Sequence, residues 1–72
     1  MSLKFELIES RFTYHPPKDK NQIANYQKIR DTAKEFAYTI VNISPLSEEQ
    51  IIALKKLDEV VFWTNAAIAR HS

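Results

Sequence analysis

Six apolar residues, Tyr26, Ile29, Ala33, Phe36, Ile40 and Ile43, follow one another at spacings of 3, 4, 3, 4 and 3. With a helical repeat near 3.6 residues, these side chains share one seam of an α-helix. A heptad-like seam packs lengthwise against another helix. The spacing predicts a helix over residues 19–43, with Asp19 as N-cap, Gln22 three residues on, and Ser44-Pro45 as the stop. Ser47 opens a second helix over residues 47–70 with a capping box, in which Ser47 caps the amide of Gln50 and Gln50 reaches back. Glu48 and Glu49 in its first turn, and Arg70 and His71 in its last, complement the helix dipole.

The second helix carries Leu54, Leu57, Val61 and Ile68 on one stripe and Val60, Trp63 and Ala67 on the next. That surface is wider than one partner helix covers, which predicts oligomerisation. Two helices of roughly 24 residues, about 36 Å each, joined by a short turn, form an antiparallel hairpin. A 72-residue chain holds one domain, and a chain of that size buries only about 60% of its unfolded surface. It has no cysteine, so neither a disulfide nor a thiolate-ligated metal supports it. Self-association is the remaining support. The expected architecture is all-α: a single domain over 1–72, with an extended or short-helical N-terminal strap (1–18) before the hairpin, assembled as a homo-oligomer.

Residues 1–10 alternate weakly at Leu3, Phe5 and Leu7, which fits either a short strand or a turn of helix. From Ser10 to Lys18 an extended strap is expected, because Pro16 and Pro17 remove donors and bias the preceding residue away from helix. Tyr14 and His15 stand on this strap beside positive charge. Residues 11–34 hold six bases against two acids, whereas the whole chain has a net charge of only +1. A local excess of this kind attracts small anions, while the near-neutral total argues against a general binder of DNA or RNA. No apolar run approaches the ~18–20 residues a bilayer span needs, and the N-terminus lacks a signal pattern. A soluble protein held inside the cell that makes it is expected.

Catalytic chemistry finds little support. Without glycine there is no phosphate-cradling loop. His15 and His71 lie at opposite ends of the chain, with no metal-ligand spacing. The adjacent acid pairs Glu48-Glu49 and Asp58-Glu59 point about 100° apart on a helix. We therefore expect no enzyme, no metal and no cofactor. Binding residues are easier to find. Tyr14 is either a stacking platform or a tucked strap aromatic, Phe12 being the better candidate for tucking. Arg30 and Lys34, like charges four apart, either hold an anion or are balanced by Asp31 and Glu35 on a solvated face. Thr32 offers a hydroxyl on the other shoulder of the seam. Arg70 either binds phosphate or complements the helix end. Tyr26 and Phe36 read as core, Trp63 as interface, and Asn65 stays open.

From Phe12 to Arg70 the order of motifs is specific. It runs from Phe12-Thr13-Tyr14-His15-Pro16-Pro17 through Tyr26, Ile29-Arg30 and Ala33-Lys34 to the Ser44-Pro45-Leu46-Ser47-Glu48 turn. Leu54 to Leu57 follow, and then Phe62-Trp63-Thr64-Asn65-Ala66-Ala67-Ile68-Ala69-Arg70. Over about four-fifths of its length the chain resembles the phage anti-CBASS sponges, which sequester cyclic oligonucleotide messengers. Their helical hairpin is shared with anti-Thoeris sponges for cyclic ADP-ribose messengers. The resemblance implies a homohexamer in the host cytoplasm that holds cyclic dinucleotides such as cyclic GMP–AMP, and in some members cyclic trinucleotides, without cleaving them. It further implies Tyr14 on the bases, with its neighbour His15 in the ligand set, and Arg30 or Lys34 on the phosphates. Thr32 and Arg70 are implied for a trinucleotide site where protomers meet. The alternative is a helical-hairpin adaptor that binds a protein through its wide apolar face. A duplex-binding regulator is disfavoured by the near-neutral charge.

Overall fold

The computed structural model describes residues 3–72. The first two residues of the expected strap, and the side chain of Leu3, lie outside the described residues. Three helices follow in order, α1 (Leu3–Phe12), α2 (Lys20–Ile43) and α3 (Glu48–His71), with no strand among the described residues.

Both long helices start where their caps place them. The Asp19 carboxylate accepts the Gln22 N–H at 2.9 Å, and the Ser47 hydroxyl accepts the Gln50 N–H at 3.1 Å. α2 ends as Ser44 turns extended ahead of Pro45, its N–H still reaching the Ile40 carbonyl at 3.0 Å. The reciprocal half of each capping box is redirected. The Gln50 amide donates across the turn to the Ser44 carbonyl (2.8 Å) and hydroxyl (3.1 Å), not to its own cap. Gln22 accepts the Lys18 N–H at 2.8 Å and donates to the Ile68 and Ser72 oxygens of α3's end at 3.2 and 3.3 Å. A carboxamide both donates and accepts, and helix-end carbonyls that lack partners compete for its donors. These two glutamines, 4% and 7% exposed, are the buried residues among those described, and each closes one end of the hairpin.

The strap differs from expectation at its start. Ser10, Arg11 and Phe12 are the last turn of α1, and the non-helical strap begins only with the bend at Thr13. Proline restricts the residue immediately before it, so Pro16 constrains His15 and leaves Ser10–Phe12 free to be helical. The open choice for residues 1–10 thus falls to helix over the described part, residues 3–10. Phe12 is not tucked; it is 82% exposed and shares one face of α1 with Phe5 and Ile8.

α2 packs on α3, while α1 packs substantially against neither. Along the seam Tyr26, Ile29, Ala33 and Ile40 are half-buried against the stripe of Leu54, Leu57, Val61 and Ile68. Phe36, read as core, is 56% exposed, and Val60 is 58% exposed. The hairpin is a single layer: it covers the middle of the seam and leaves its shoulders open. There a groove of about 480 Å³ runs between Phe36, Ile40, Leu57 and Val60. No apolar side chain among the described residues is fully buried. The protomer exposes 6267 Å², against about 4,600 Å² for a compact 8.4-kDa monomer. Its radius of gyration is 15.8 Å, against about 11 Å for a compact chain of this length. No helix among the described residues is long and apolar enough to cross a membrane.

Candidate functional site

Where the strap passes the last turns of α3, a cleft of about 360 Å³ opens. Arg11 enters it from the end of α1, Tyr14 and His15 from the strap, Tyr26 from α2, and Asn65 and Arg70 from α3. Its floor is Ala66 and Ala69, whose small side chains leave the space. On α3, positions 62, 65, 66, 69 and 70 share one helical face.

Hydrogen bonds fix the walls. The Thr13 N–H reaches the Glu9 carbonyl at 3.1 Å, closing α1. Nε2 of His15 lies 2.9 Å from the Ser10 carbonyl; because a carbonyl only accepts, this nitrogen carries the proton. His15 thereby ties the strap to the end of α1 and satisfies a carbonyl the helix leaves unpaired. At the opposite wall Gln22 and the Lys18 ammonium hold the end of α3 through Ile68 and Ser72. The strap between these anchors holds Tyr14 outward, 82% exposed at the mouth of the cleft.

No carboxylate is among the lining residues, and the nearest acid at its edge is Glu9, whose carboxylate accepts the Thr13 hydroxyl at 3.3 Å. Among the described residues the one ion pair, Lys56–Glu59 at 3.2 Å, lies on an exposed face of α3 away from it. Arg70 is half-buried rather than exposed. Asn65 Oδ1 is buried without a hydrogen-bond donor, a condition that costs about 1–3 kcal/mol.

Of the residues singled out from sequence, one protomer brings Tyr14, His15 and Arg70 together. Arg30, Thr32 and Lys34 lie elsewhere on α2. Arg30 is exposed and reaches the Gln27 carboxamide at 3.5 Å, and Lys34 is exposed. Thr32 borders a shallow groove with Glu35, Phe36 and Thr39. Neither Asp31 nor Glu35 closes an ion pair with Arg30 or Lys34 among the described residues. Sequence reasoning missed Arg11, counted only as part of a basic segment, and Tyr26, assigned to the seam. It left Asn65 open. The pair of alanines one turn apart beside Asn65 and Arg70 was the available signal.

A family model described as the Acb2/Tad1 hairpin domain matches residues 6–69. The chain belongs to this family. The Acb2/Tad1 family comprises the phage anti-CBASS and anti-Thoeris sponge proteins, which bind cyclic oligonucleotides and are not enzymes. No match was found among curated proteins or solved structures. For an Acb2/Tad1 hairpin, the open shoulders of the seam and the aromatic, arginine-lined cleft are the two features to explain.

Proposed function

We propose that copies of this chain assemble, as a hexamer, and sequester cyclic dinucleotides such as cyclic GMP–AMP without cleaving them. Acting in the cytoplasm of a phage-infected host, they deprive a CBASS effector of its activating messenger. The observation that carries this reading is Tyr14, held outward on a proline-stiffened strap over a cleft lined by arginine and by no carboxylate. A cyclic dinucleotide offers flat bases and two phosphates. Base–aromatic stacking contributes about 1–3 kcal/mol per base, and charge-assisted hydrogen bonds hold the phosphates.

The assembly brings in the residues that one protomer keeps apart. Arg30 or Lys34 of a neighbouring copy faces the phosphates, while Thr32 and Arg70 serve a cyclic trinucleotide site where protomers meet. His15 acts by holding the strap. The protomer's surface excess over a compact monomer is about 1,700 Å², roughly twice the ~800 Å² one partner contributes to a standard interface. Two interfaces per protomer support a closed assembly such as a hexamer of twofold pairs.

Calorimetric titration of cyclic GMP–AMP, repeated with Tyr14→Ala and Arg30→Ala, tests the proposal. Saturable heat with the parent chain, weakened about tenfold or more in Tyr14→Ala, is expected from the loss of one stacked base. No heat with any cyclic di- or trinucleotide refutes it. The groove at Phe36 and Val60 also suits a protein-binding adaptor, and light scattering separates the two readings. A closed oligomer hides that groove; a monomer leaves it available.

A further inference from the structure

Tyr14 stands between two residues that are both fastened to α1. The Thr13 N–H reaches the Glu9 carbonyl at 3.1 Å and its hydroxyl the Glu9 carboxylate at 3.3 Å, while His15 reaches the Ser10 carbonyl at 2.9 Å. The place of the stacking ring is therefore set by α1 as much as by the prolines. Yet α1 packs substantially against neither long helix. Isolated helices shorter than ~12–15 residues are marginal in water even for strong helix formers, so α1, at 10 residues, needs a surface to lie on. Its free face is apolar: Phe5, Ile8 and Phe12, at helical spacing, are 61%, 49% and 82% exposed.

The groove at Phe36, Ile40, Leu57 and Val60 matches that face. Ala53 to Val60 along the groove and Phe5 to Phe12 along α1 each cover two turns, about 10 Å. Neither surface calls for an oppositely charged partner. Lys4 and Arg11 balance Glu6 and Glu9 on α1, and the charged residue lining the groove, Lys56, is paired with Glu59. A helix lying on a membrane would instead carry a basic polar face. The groove lies toward the hairpin turn and α1 stands at the opposite end, so a protomer does not fill its own groove. The surface excess of about 1,700 Å² is also ample for a second copy, which takes ~800 Å² in a standard interface.

We propose that α1 of one protomer docks its Phe5–Ile8–Phe12 face in the α2–α3 groove of a second copy, and that this docking fixes Tyr14 over the ligand cleft. The cleft is then complete only in the assembly, and messenger affinity is linked to association. This deepens the proposed function and rests on Tyr14 being the stacking residue.

The test uses the full chain, followed by sedimentation velocity, calorimetry with cyclic GMP–AMP and amide hydrogen exchange at Thr13. Phe5→Ser combined with Ile8→Ser alters no residue lining the cleft. This α1 variant is expected to give a lighter species, faster exchange at Thr13 and affinity lowered about tenfold, as loss of a stacked base requires. His15→Ala is expected to weaken binding while the assembly stays intact, because it cuts the tie and not the docking. Mixing the α1 variant with Phe36→Glu restores part of the assembly and of the binding, one chain supplying the face and the other the groove. That recovery also shows that both variants fold. The proposal is overturned if the α1 variant sediments as the parent does, or dissociates yet binds as tightly, or if the mixture recovers nothing. It is overturned too if His15→Ala binds like the parent. A parent that binds no cyclic oligonucleotide, with an α1 variant that still dissociates and a mixture that still reassembles, sinks the sponge reading and leaves the docking standing.

Discussion

Asn65 is the residue whose packing the fold explains least. Its carboxamide oxygen is buried without a donor in a cleft wall where leucine would fit an apolar neighbourhood of Phe62, Ala66 and Ala69. An unsatisfied buried acceptor costs about 1–3 kcal/mol, so Asn65→Leu should raise the stability of the ligand-free chain by about 1 kcal/mol in urea unfolding. The same change should weaken cyclic GMP–AMP binding by removing a polar group from the site. A destabilised variant with unchanged affinity would mean that Asn65 is structural. Little of this was legible in the sequence, where Asn65 is one polar residue in an alanine-rich turn. Tyr14 was legible, because Pro16 and Pro17 stiffen the backbone locally and need no partner to do so. Arg11 was not, because its place in the cleft depends on α1 running on to Phe12 and on the far end of α3 lying beside it.

At the scale of the elements, the caps make the long helices readable and the glutamines join them. Asp19, Ser47 and Pro45 set local boundaries, and local rules find them. The cross-chain bonds of Gln22 to Ile68 and Ser72 depend on the hairpin being closed, and a capping-box pattern alone sends that side chain back to its own helix. Gln22→Leu removes both donors and the acceptor for Lys18. The loss should destabilise the chain by about 1–3 kcal/mol and speed amide hydrogen exchange over the last turn of α3. Because that turn carries Arg70, ligand affinity should fall as well. Exchange unchanged at the end of α3 would show that the clamp does not hold it. The short helix α1 lay beyond periodicity, since Phe5, Ile8 and Phe12 are too few apolar positions to separate one face of a helix from a short strand.

For the whole molecule, the apolar pattern was readable but its partner was not. Phe36 falls at core spacing and Val60 on the second stripe of α3, and both stand more than half exposed, because a two-helix layer covers only one side of each helix. Replacing Phe36 with Glu in the groove is expected to disperse the assembly in analytical ultracentrifugation and to lower the thermal midpoint. The parent's midpoint should rise with protein concentration, as association linked to folding requires. A concentration-independent midpoint would place the folding free energy within one protomer. The central claim is that the assembled cleft holds a messenger intact. The direct measurement is to load the protein with cyclic GMP–AMP, wash away free nucleotide, denature the protein and chromatograph what is released. Unaltered cyclic GMP–AMP in fixed proportion to protein is the predicted result; an empty eluate or a linearised product would contradict it.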